Sequence, residues 1–353
     1  SAEPRVGSKR VPPVYHRPLV LLKTRLATMG CGLLALILMM LCAQARSATL
    51  LFVASGDSPD HREFLARQRH WPAGADLLAL EAVEAQGTRL VGLIVWLKSA
   101  PSQRKSSPRR AAIQALMRAG SPTLADLCQQ VDVVVAVAED AARTAEKICS
   151  IPLLMVLVPD AQLQPLLERT RGPARTAIYP TADPVANLRL IRELLPKAAT
   201  VGVLVSPQRA ELPSLRAEAH RLQFKLEEIT ATNDEEAVRA LRNRVSALDA
   251  VLLLPDLQLI NAWSLKPILL MTIRQMVPTF GGPTADYVRA GVLAAAVPDL
   301  DRLPAQIVAV ARRLASGVVP APVYPEATRV VVNPTVAGVL SVVIPPTWNA
   351  HAE

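Results

Sequence analysis

Residues 249–296 read DAVLLLPDLQLINAWSLKPILLMTIRQMVPTFGGPTADYVRAGVLAAA. The pattern predicts, in order, a strand, a helix and two further strands, at 249–254, 263–275, 277–280 and 291–296. Short continuous apolar runs of this kind are typical of strands that are covered on both faces. Because strands alternate with helices, the stretch predicts an α/β unit with a parallel sheet and right-handed crossovers.

The same rhythm continues on both sides of this stretch. Further strands are predicted at 49–54, 89–97, 131–138, 151–158, 200–205 and 224–230. Further helices are predicted at 60–70, 111–119, 139–149, 183–195, 211–222, 234–245 and 304–316. Asp183 is placed to cap a helix whose first residue is Pro184, and Asn233 or Asp234 is placed to cap another.

Two successive β/α arrays are therefore expected, one for each of two α/β lobes. The first lobe is predicted at residues 46–178, completed by part of 318–353, and the second at 179–317. A chain of 353 residues suits two domains at about 150 residues each. Aromatic residues make up only 3% of the chain, so the cores must be built from Leu, Val, Ile and Ala, as in buried parallel sheets.

The net charge of +9 does not predict nucleic-acid binding. Such a surface would combine basic residues with interleaved aromatic side chains. The basic cluster at residues 104–110 lies among Ser and Pro and has no aromatic neighbour. Nucleic acid is therefore not an expected partner.

Residues 1–45 are interpreted as an N-terminal extension and a signal peptide. Within them, residues 26–45 (LATMGCGLLALILMMLCAQA) contain no charge and follow Lys23 and Arg25. A basic start, an apolar run and the small-x-small triplet at 43–45 predict a cleaved secretory signal. A run of about 20 apolar residues can also span a bilayer, so an uncleaved anchor is the alternative. The protein is therefore expected to be exported, either free or tethered to a membrane by this segment.

Cys128 and Cys149 are the two cysteines beyond the signal segment. Each falls near the end of a predicted helix, and an oxidising compartment permits a disulfide between them. Two separately buried thiols are the favoured interpretation, since free cysteine is commonly buried. The cysteines lack the paired spacing of a zinc site, and neither a metal nor a cofactor is expected.

The second half of the chain resembles the ABC transporter substrate-binding family whose better-known members bind tryptophan or tyrosine. The resemblance rests on LPD at 254–256, TFGG at 279–282, YVRAGVLA at 287–294 and NLRLIRELLPKAATVGVLVSP at 187–207. It covers roughly 177–335 and is weaker over 49–176. There the family usually has a Thr-Asp-Pro turn and a Gly-rich stretch, whereas this chain has Val158-Pro159-Asp160.

This resemblance implies a type I periplasmic-binding-protein fold with two Rossmann-like lobes and a ligand cleft between them. It implies the exported solute-binding component of an ABC importer, a monomer that binds a small polar, amino-acid-like molecule without chemistry. The partners implied are that small-molecule ligand and an ABC permease in the inner membrane. By the same analogy, the tail of the chain returns to the first lobe or packs over the hinge.

Ligands of open parallel sheets bind beyond the carboxyl ends of the strands. The candidate ligand-binding residues at these ends are Ser55, Gly56, Asp57, Ser58, Glu139, Asp140, Asp160, Ser206, Asp256, Gly281, Gly282, Thr284 and Tyr287. Hydroxyl groups or a helix N-terminus can receive a carboxylate, and Asp256 can receive an ammonium group. Gly281 and Gly282 would let backbone amides approach closely.

Other interpretations of these residues stay open. An aspartate after a strand is often only a turn former or a helix cap, which is favoured for Asp57, Asp140 and Asp160. The candidate stacking rings are Tyr287, Phe280 and Tyr179, the last at the presumed crossing between the lobes.

An enzyme is not expected, because no H-E-x-x-H, G-x-S-x-G or P-loop motif occurs. The alternative is a membrane-anchored envelope protein that keeps the fold, has lost or changed ligand binding and acts through protein partners. The apolar N-terminus, the weaker first lobe and the scarcity of aromatics motivate it. A cytoplasmic repressor of the same fold would need a helix-turn-helix where the apolar segment lies.

Overall fold

The computed structural model describes residues 48–55, 75–85, 88–97, 108–169, 171–207, 212–346 and 348. The chain from Ser47 onward forms one compact unit. The predicted signal at 26–45, the predicted helix at 60–70 and the candidates Gly56, Asp57 and Ser58 lie outside the described residues.

The first sheet contains β1 to β6, in the order β2-β3-β1-β4-β5-β6. Their bounds are Ala48–Ser55, Ala75–Ala85, Thr88–Leu97, Val133–Val137, Leu153–Val156 and Arg175–Ile178. Strands β1, β4, β5 and β6 are parallel; β1, β4 and β5 were predicted as strands, whereas β6 was not. However, β3 pairs antiparallel with both β1 and β2. The apolar run that predicts β3 contains no information about the direction of the strand. The edge strand β2 (ADLLALEAVEA) was not predicted, because its acidic residues interrupt the apolar run.

Among the described residues of this lobe, four helices accompany the strands. Helices α1 to α4 span Pro108–Ala119, Leu124–Cys128, Glu139–Ile148 and Asp160–Leu167. Helix α3 begins with two acidic residues and has Lys147 in its last turn, an arrangement that favours the helix dipole. Side chains from α1, α2 and α3 pack with alternate residues of β1 and β4 on one face of the sheet.

The second sheet contains β7 to β12, in the order β12-β11-β10-β9-β7-β8. Their bounds are Thr200–Val205, Lys225–Thr230, Ala250–Leu253, Thr279–Gly281, Ala294–Pro298 and Thr328–Val332. All adjacent pairs are parallel except β11 and β12, which are antiparallel. The prediction of two α/β lobes with largely parallel sheets is confirmed.

Helices α5 to α11 accompany this part of the chain. They span Pro184–Leu194, Leu212–Arg221, Asp234–Arg242, Ala262–Arg274, Ala285–Ala290, Leu303–Ala315 and Pro334–Leu340. Both predicted caps are confirmed: Asp183 accepts from the Val185 amide over 2.9 Å, and Asn233 accepts from the Glu236 amide over 2.9 Å. The short α9 and α11 and the edge strand β12 were not predicted, because each is too brief for a clear periodicity.

The chain crosses between the two sheets three times. The crossing segments are residues 178–184, 298–303 and 323–328, which connect β6 to α5, β11 to α10 and the end of the first lobe to β12. Val323 forms a parallel bridge with Ile178, and the amide of Tyr179 donates to the Val323 carbonyl over 2.9 Å. The first and third crossing segments are therefore joined by backbone hydrogen bonds.

The late elements are shared between the lobes differently from the predicted boundaries. Helix α10 packs on the first sheet, where its buried Leu303 and Ile307 meet Phe52 and Val135 in one core cluster. Strand β12 and helix α11 instead join the second sheet and its core. The strand-helix alternation does not reveal this exchange, because an amphipathic helix can cover either sheet equally well.

Cys128 and Cys149 form a disulfide, with their Cα atoms 5.7 Å apart. The favoured sequence interpretation, two separate thiols, is therefore wrong. Cys128 ends α2 and Cys149 caps the C-terminus of α3, on opposite sides of β4 along the chain. The bond closes a loop across a sequence separation of 21 residues and fastens two helices that cover the same sheet face.

We expect replacement of Cys128 and Cys149 by serine to lower the free energy of unfolding by about 3 kcal/mol, since the bond restricts the unfolded chain. Equilibrium denaturation in urea measures the change. Dithiothreitol should lower the stability of the parent protein to that of the double variant and leave the double variant unchanged. Equal stabilities without reductant would contradict a structural role for the bond.

Candidate functional site

Several candidate residues of the second lobe lie at one edge of its sheet. Ser206 directly follows β7, Asp256 follows the neighbouring β9, and Gly281 ends the next strand, β10. Because these strands are parallel neighbours, their carboxyl ends lie side by side. The structure therefore brings these predicted positions together along one edge.

Asp256 shapes the turn between β9 and α8. Its side chain is 7% exposed, and Oδ1 accepts from the Gln258 amide over 3.0 Å. Its carbonyl accepts from the amides of Leu259 and Ile260 over 3.2 and 2.7 Å. A buried aspartate with these bonds fixes local backbone, which is the ordinary role of aspartate after a strand.

Gly281 and Gly282 are required by close internal packing. Their φ angles are +84° and +99°, values that side chains rarely allow. A Cβ on Gly281 would lie 2.6 Å from the Leu253 carbonyl oxygen, and one on Gly282 would lie 2.9 Å from the Tyr287 side chain. The groups that approach these glycines closely are β9 and the Tyr287 side chain; the predicted approach of their amides to a ligand stays a prediction.

Tyr287 connects α9 to the turn after β9. Its hydroxyl donates to the Ile260 carbonyl over 3.0 Å, and its half-buried ring covers Gly282. Burial raises the pKa of the Tyr287 hydroxyl, which keeps it a donor at neutral pH. Thr284 caps α9 by accepting from the Asp286 amide over 3.3 Å. Both side chains thus have internal hydrogen-bond partners.

The first-lobe candidates also lie at the carboxyl ends of neighbouring strands. Ser55 ends β1, Glu139 and Asp140 begin α3 just after β4, and Asp160 begins α4 after β5. Glu139 Oε1 accepts from Arg143 Nε over 2.6 Å, one helical turn away. These positions share an edge of the first sheet, since β1, β4 and β5 are adjacent and parallel.

The candidate rings lie in different environments. Phe280 is fully buried in the core of the second lobe, so the prediction that it stacks on a ligand is wrong. Tyr179 lies at the crossing, as predicted, and its ring centroid is 4.6 Å from that of Tyr324 on the third crossing segment. The aromatic pair therefore belongs to the hinge between the lobes.

A cavity of about 400 Å³ lies beside the second and third crossing segments. Its lining residues are Asp299, Asp301, Arg302, Leu303, Ala305, Gln306, Pro325, Glu326 and Ala327. Cavities of 300 Å³ and above are typical of small-molecule sites (roughly 300–1,000 Å³). The sequence contains an acidic turn, DLDR at 299–302, directly after a strand. Only the fold shows that this turn lies beside residues 325–327.

Hydrogen bonds hold the two walls of this hinge cavity together. The Asp299 amide donates to the Ala327 carbonyl over 3.0 Å. Gln306, only 7% exposed, donates from Nε2 to the Tyr324 carbonyl over 2.9 Å and accepts at Oε1 from the Glu326 amide over 3.0 Å. A single buried amide side chain thus spans the second and third crossings.

The described residues include no group of three or more His, Cys, Asp or Glu side chains arranged to hold a metal ion. Among the same residues, no helix has the length and apolar character needed to span a membrane.

The architecture is that of a two-lobed α/β protein whose lobes are linked by three crossing segments. A family model described as "ABC transporter substrate binding protein" matches residues 124–353. This match covers more than half of the chain, so the chain belongs to the ABC transporter substrate-binding protein family. The predicted family and the predicted type I periplasmic-binding-protein fold class are thereby confirmed. No curated protein matches the chain.

Solved structures similar to this chain include a conserved domain protein from Vibrio cholerae, with 20% identity and a TM-score of 0.44. An ABC domain in complex with L-Trp from Streptococcus pneumonia has 19% identity and a TM-score of 0.44. A substrate-binding protein with adhesive properties from Clostridium difficile, in a ligand-free, open structure, has 17% identity and a TM-score of 0.48. The alignments cover 69% of this chain and 92%, 93% and 92% of those chains.

We expect Gly282→Ala to destabilise the protein by about 1–3 kcal/mol, because the new methyl group would meet Tyr287 at a strained φ angle. Gly338→Ala is the control, since a Cβ there meets nothing within 4 Å inside helix α11. That control should stabilise the protein by about 0.5–1 kcal/mol. Urea denaturation compares the two variants, and equal stabilities would contradict the packing described for Gly282.

Proposed function

We propose that the protein is the exported solute-binding component of an ABC importer. It binds a small polar, amino-acid-like molecule between its lobes, without chemistry, and delivers it as a monomer to an inner-membrane permease. The observation that carries this proposal is the family match, which includes all of the second lobe and part of the first. The periplasmic location rests on the signal-like segment at 26–45, either cleaved or kept as a tether.

The two-lobed geometry supports this role. In the first crossing the chain leaves the carboxyl end of β6 and enters α5, and five residues separate the end of α5 from the start of β7. The start of α5 is therefore at the carboxyl edge of the second sheet, and the crossing links the edges at which ligands of parallel sheets bind. Rotation about a few such segments is the usual way in which two lobes close on a solute.

The proposed ligand contacts of the second lobe are positions at its carboxyl edge: Ser206, Asp256, Gly281, Gly282, Thr284 and Tyr287. Those of the first lobe are Ser55 and Asp160 at the carboxyl edge of its sheet, together with Gly56 and Asp57, which follow Ser55 in the sequence and lie outside the described residues. Hydroxyl groups and helix starts at such an edge suit a carboxylate. The internal bonds of Asp256 and Tyr287 make these two side chains supports for the site as well as candidates within it.

A specific observation favours the second candidate function, an envelope protein that acts through protein partners. Trp263, in the first turn of α8, is 84% exposed, and Leu257 in the preceding turn is 59% exposed. Exposed large apolar side chains close in sequence are typical of protein-contact surfaces. A binding protein that docks on a permease would use such a surface too, so ligand binding separates the two candidates.

We expect the purified protein to be stabilised by at least one solute from a panel of amino acids and small organic molecules. A specific ligand should raise the melting temperature progressively, by an amount equivalent to about 2.7 kcal/mol at 100 times its Kd. Differential scanning fluorimetry over a concentration series measures this shift. A panel that leaves the melting temperature unchanged, together with capture of a protein partner that Trp263→Ala abolishes, would favour the second candidate.

A further inference from the structure

Exposed apolar side chains are concentrated around one helix of the second lobe. Of the eight large apolar side chains that are strongly exposed among the described residues, four lie within residues 257–276. These four are Leu257, Trp263, Leu270 and Met276, whereas the other four are valines in the last part of the chain. Contiguous exposed apolar surface of this kind is typical of a contact with another body.

Two of these side chains lie on one side of helix α8. Trp263 and Leu270 are seven residues apart, and Arg274 follows Leu270 after four more, a spacing that places all three on one side of an α-helix. The other side of α8 is buried against the second sheet. The exposed side, called the α8 face below, is about 17 Å long and consists of Trp263, Lys266, Pro267, Leu270 and Arg274.

The charged groups of the α8 face are all cationic. Lys266 and Arg274 are exposed, and neither has an ion-pair partner among the described residues. The chain contains no Asp or Glu between residues 257 and 285. The α8 face therefore complements a negatively charged surface.

The helices that pack on the same side of the sheet preserve this positive character. Helix α7 contacts α8 and presents Arg239 and Arg242 to solvent, against Glu235 in its first turn. On α9, Asp286 is paired with Arg289. The cations of this side of the lobe therefore outnumber its exposed carboxylates.

The position of Lys266 separates a lipid surface from a protein partner. Lys266 lies one helical turn from Trp263 and one turn from Leu270, in the middle of the apolar stripe. The buried cores of protein interfaces are depleted of lysine, which is found at their rims. At a membrane interface, by contrast, a lysine stem lies along apolar surface while its ammonium group reaches the headgroups, and tryptophan is enriched at the same depth.

We propose that the α8 face binds the surface of a membrane that contains anionic phospholipids. Trp263 and Leu270 enter the boundary between headgroups and acyl chains, and Lys266 and Arg274 contact the lipid phosphates, as in amphipathic helices that lie in the membrane plane. This inference goes beyond the proposed function and does not depend on which solute is bound. It assigns a role to exposed side chains of the second lobe that the solute site does not use.

Vesicle co-sedimentation tests the lipid preference. The predicted mature form, residues 46–353, is used because the chain from Ser47 onward forms one compact unit, whereas the apolar run at 26–45 would insert by itself. The vesicles contain phosphatidylcholine alone or equal parts phosphatidylcholine and phosphatidylglycerol. We expect binding to the anionic vesicles to be about tenfold or more tighter than to the neutral ones, and to weaken at high salt.

Variants at exposed positions locate the contact. The double variant Lys266→Gln/Arg274→Gln should weaken binding to the anionic vesicles by about tenfold or more, since each basic residue near an anionic surface contributes about fivefold. The matched control Lys147→Gln/Lys197→Gln removes two exposed cations outside the α8 face and should leave binding within about twofold.

Tryptophan emission tests insertion separately from charge. Trp263→Ala should weaken binding by about fivefold, because the indole provides much of the apolar area of the face. Trp263→Phe keeps an aromatic ring and should leave binding within about threefold. The parent protein should show a blue shift of its emission on anionic vesicles, and Trp263→Phe should lose that shift.

Binding that requires anionic lipid and is lost only in the variants of the α8 face supports the inference. Equal binding to neutral vesicles, an equal loss in the control pair, or no binding to either vesicle overturns it. Capture of a protein partner that depends on Trp263, without vesicle binding, also overturns it and assigns the face to a protein contact. None of these results bears on solute binding, so the proposed function stands or fails by the solute panel alone.

Discussion

The chain passes between its two sheets three times, and the packing of both lobes depends on these crossings. The apolar strands of the first sheet need cover on two faces, and the helices that precede the first crossing cover one of them. The other face is covered by α10, which follows β11 of the second sheet in the sequence. Each lobe therefore needs elements that come after a crossing to complete its core. The crossing segments thus determine both the packing of the lobes and the position of the hinge.

This constraint also determines which hydrogen bonds the polar side chains of the two lobes form. The outer turns of the second lobe use their side chains to fix themselves: Asp256 holds the turn to α8, and Tyr287 binds the Ile260 carbonyl. At the second and third crossings, by contrast, the Gln306 side chain and the Asp299 amide link two segments that run side by side. The same two segments line a cavity of about 400 Å³.

Most of the second lobe could be predicted from local patterns. Strand β7 begins and ends at the predicted residues, and the caps at Asp183 and Asn233 are as expected, because capping chemistry acts within a few residues. The direction of β3, the placement of α10 and the disulfide could not be predicted, since each depends on contacts between residues far apart in sequence. The positions at the strand ends could be listed from the sequence, because each one follows a predicted strand. The hinge cavity could not be predicted, because its walls come from segments that are far apart in sequence.

The central claim is that the lobes rotate about the three crossing segments to enclose a solute. Small-angle X-ray scattering of the monomeric protein, with and without a saturating solute that raises its melting temperature, tests this claim most directly. The account predicts a smaller radius of gyration in the presence of the solute, with unchanged molecular mass. An unchanged radius of gyration at full occupancy would contradict a hinge that closes on binding.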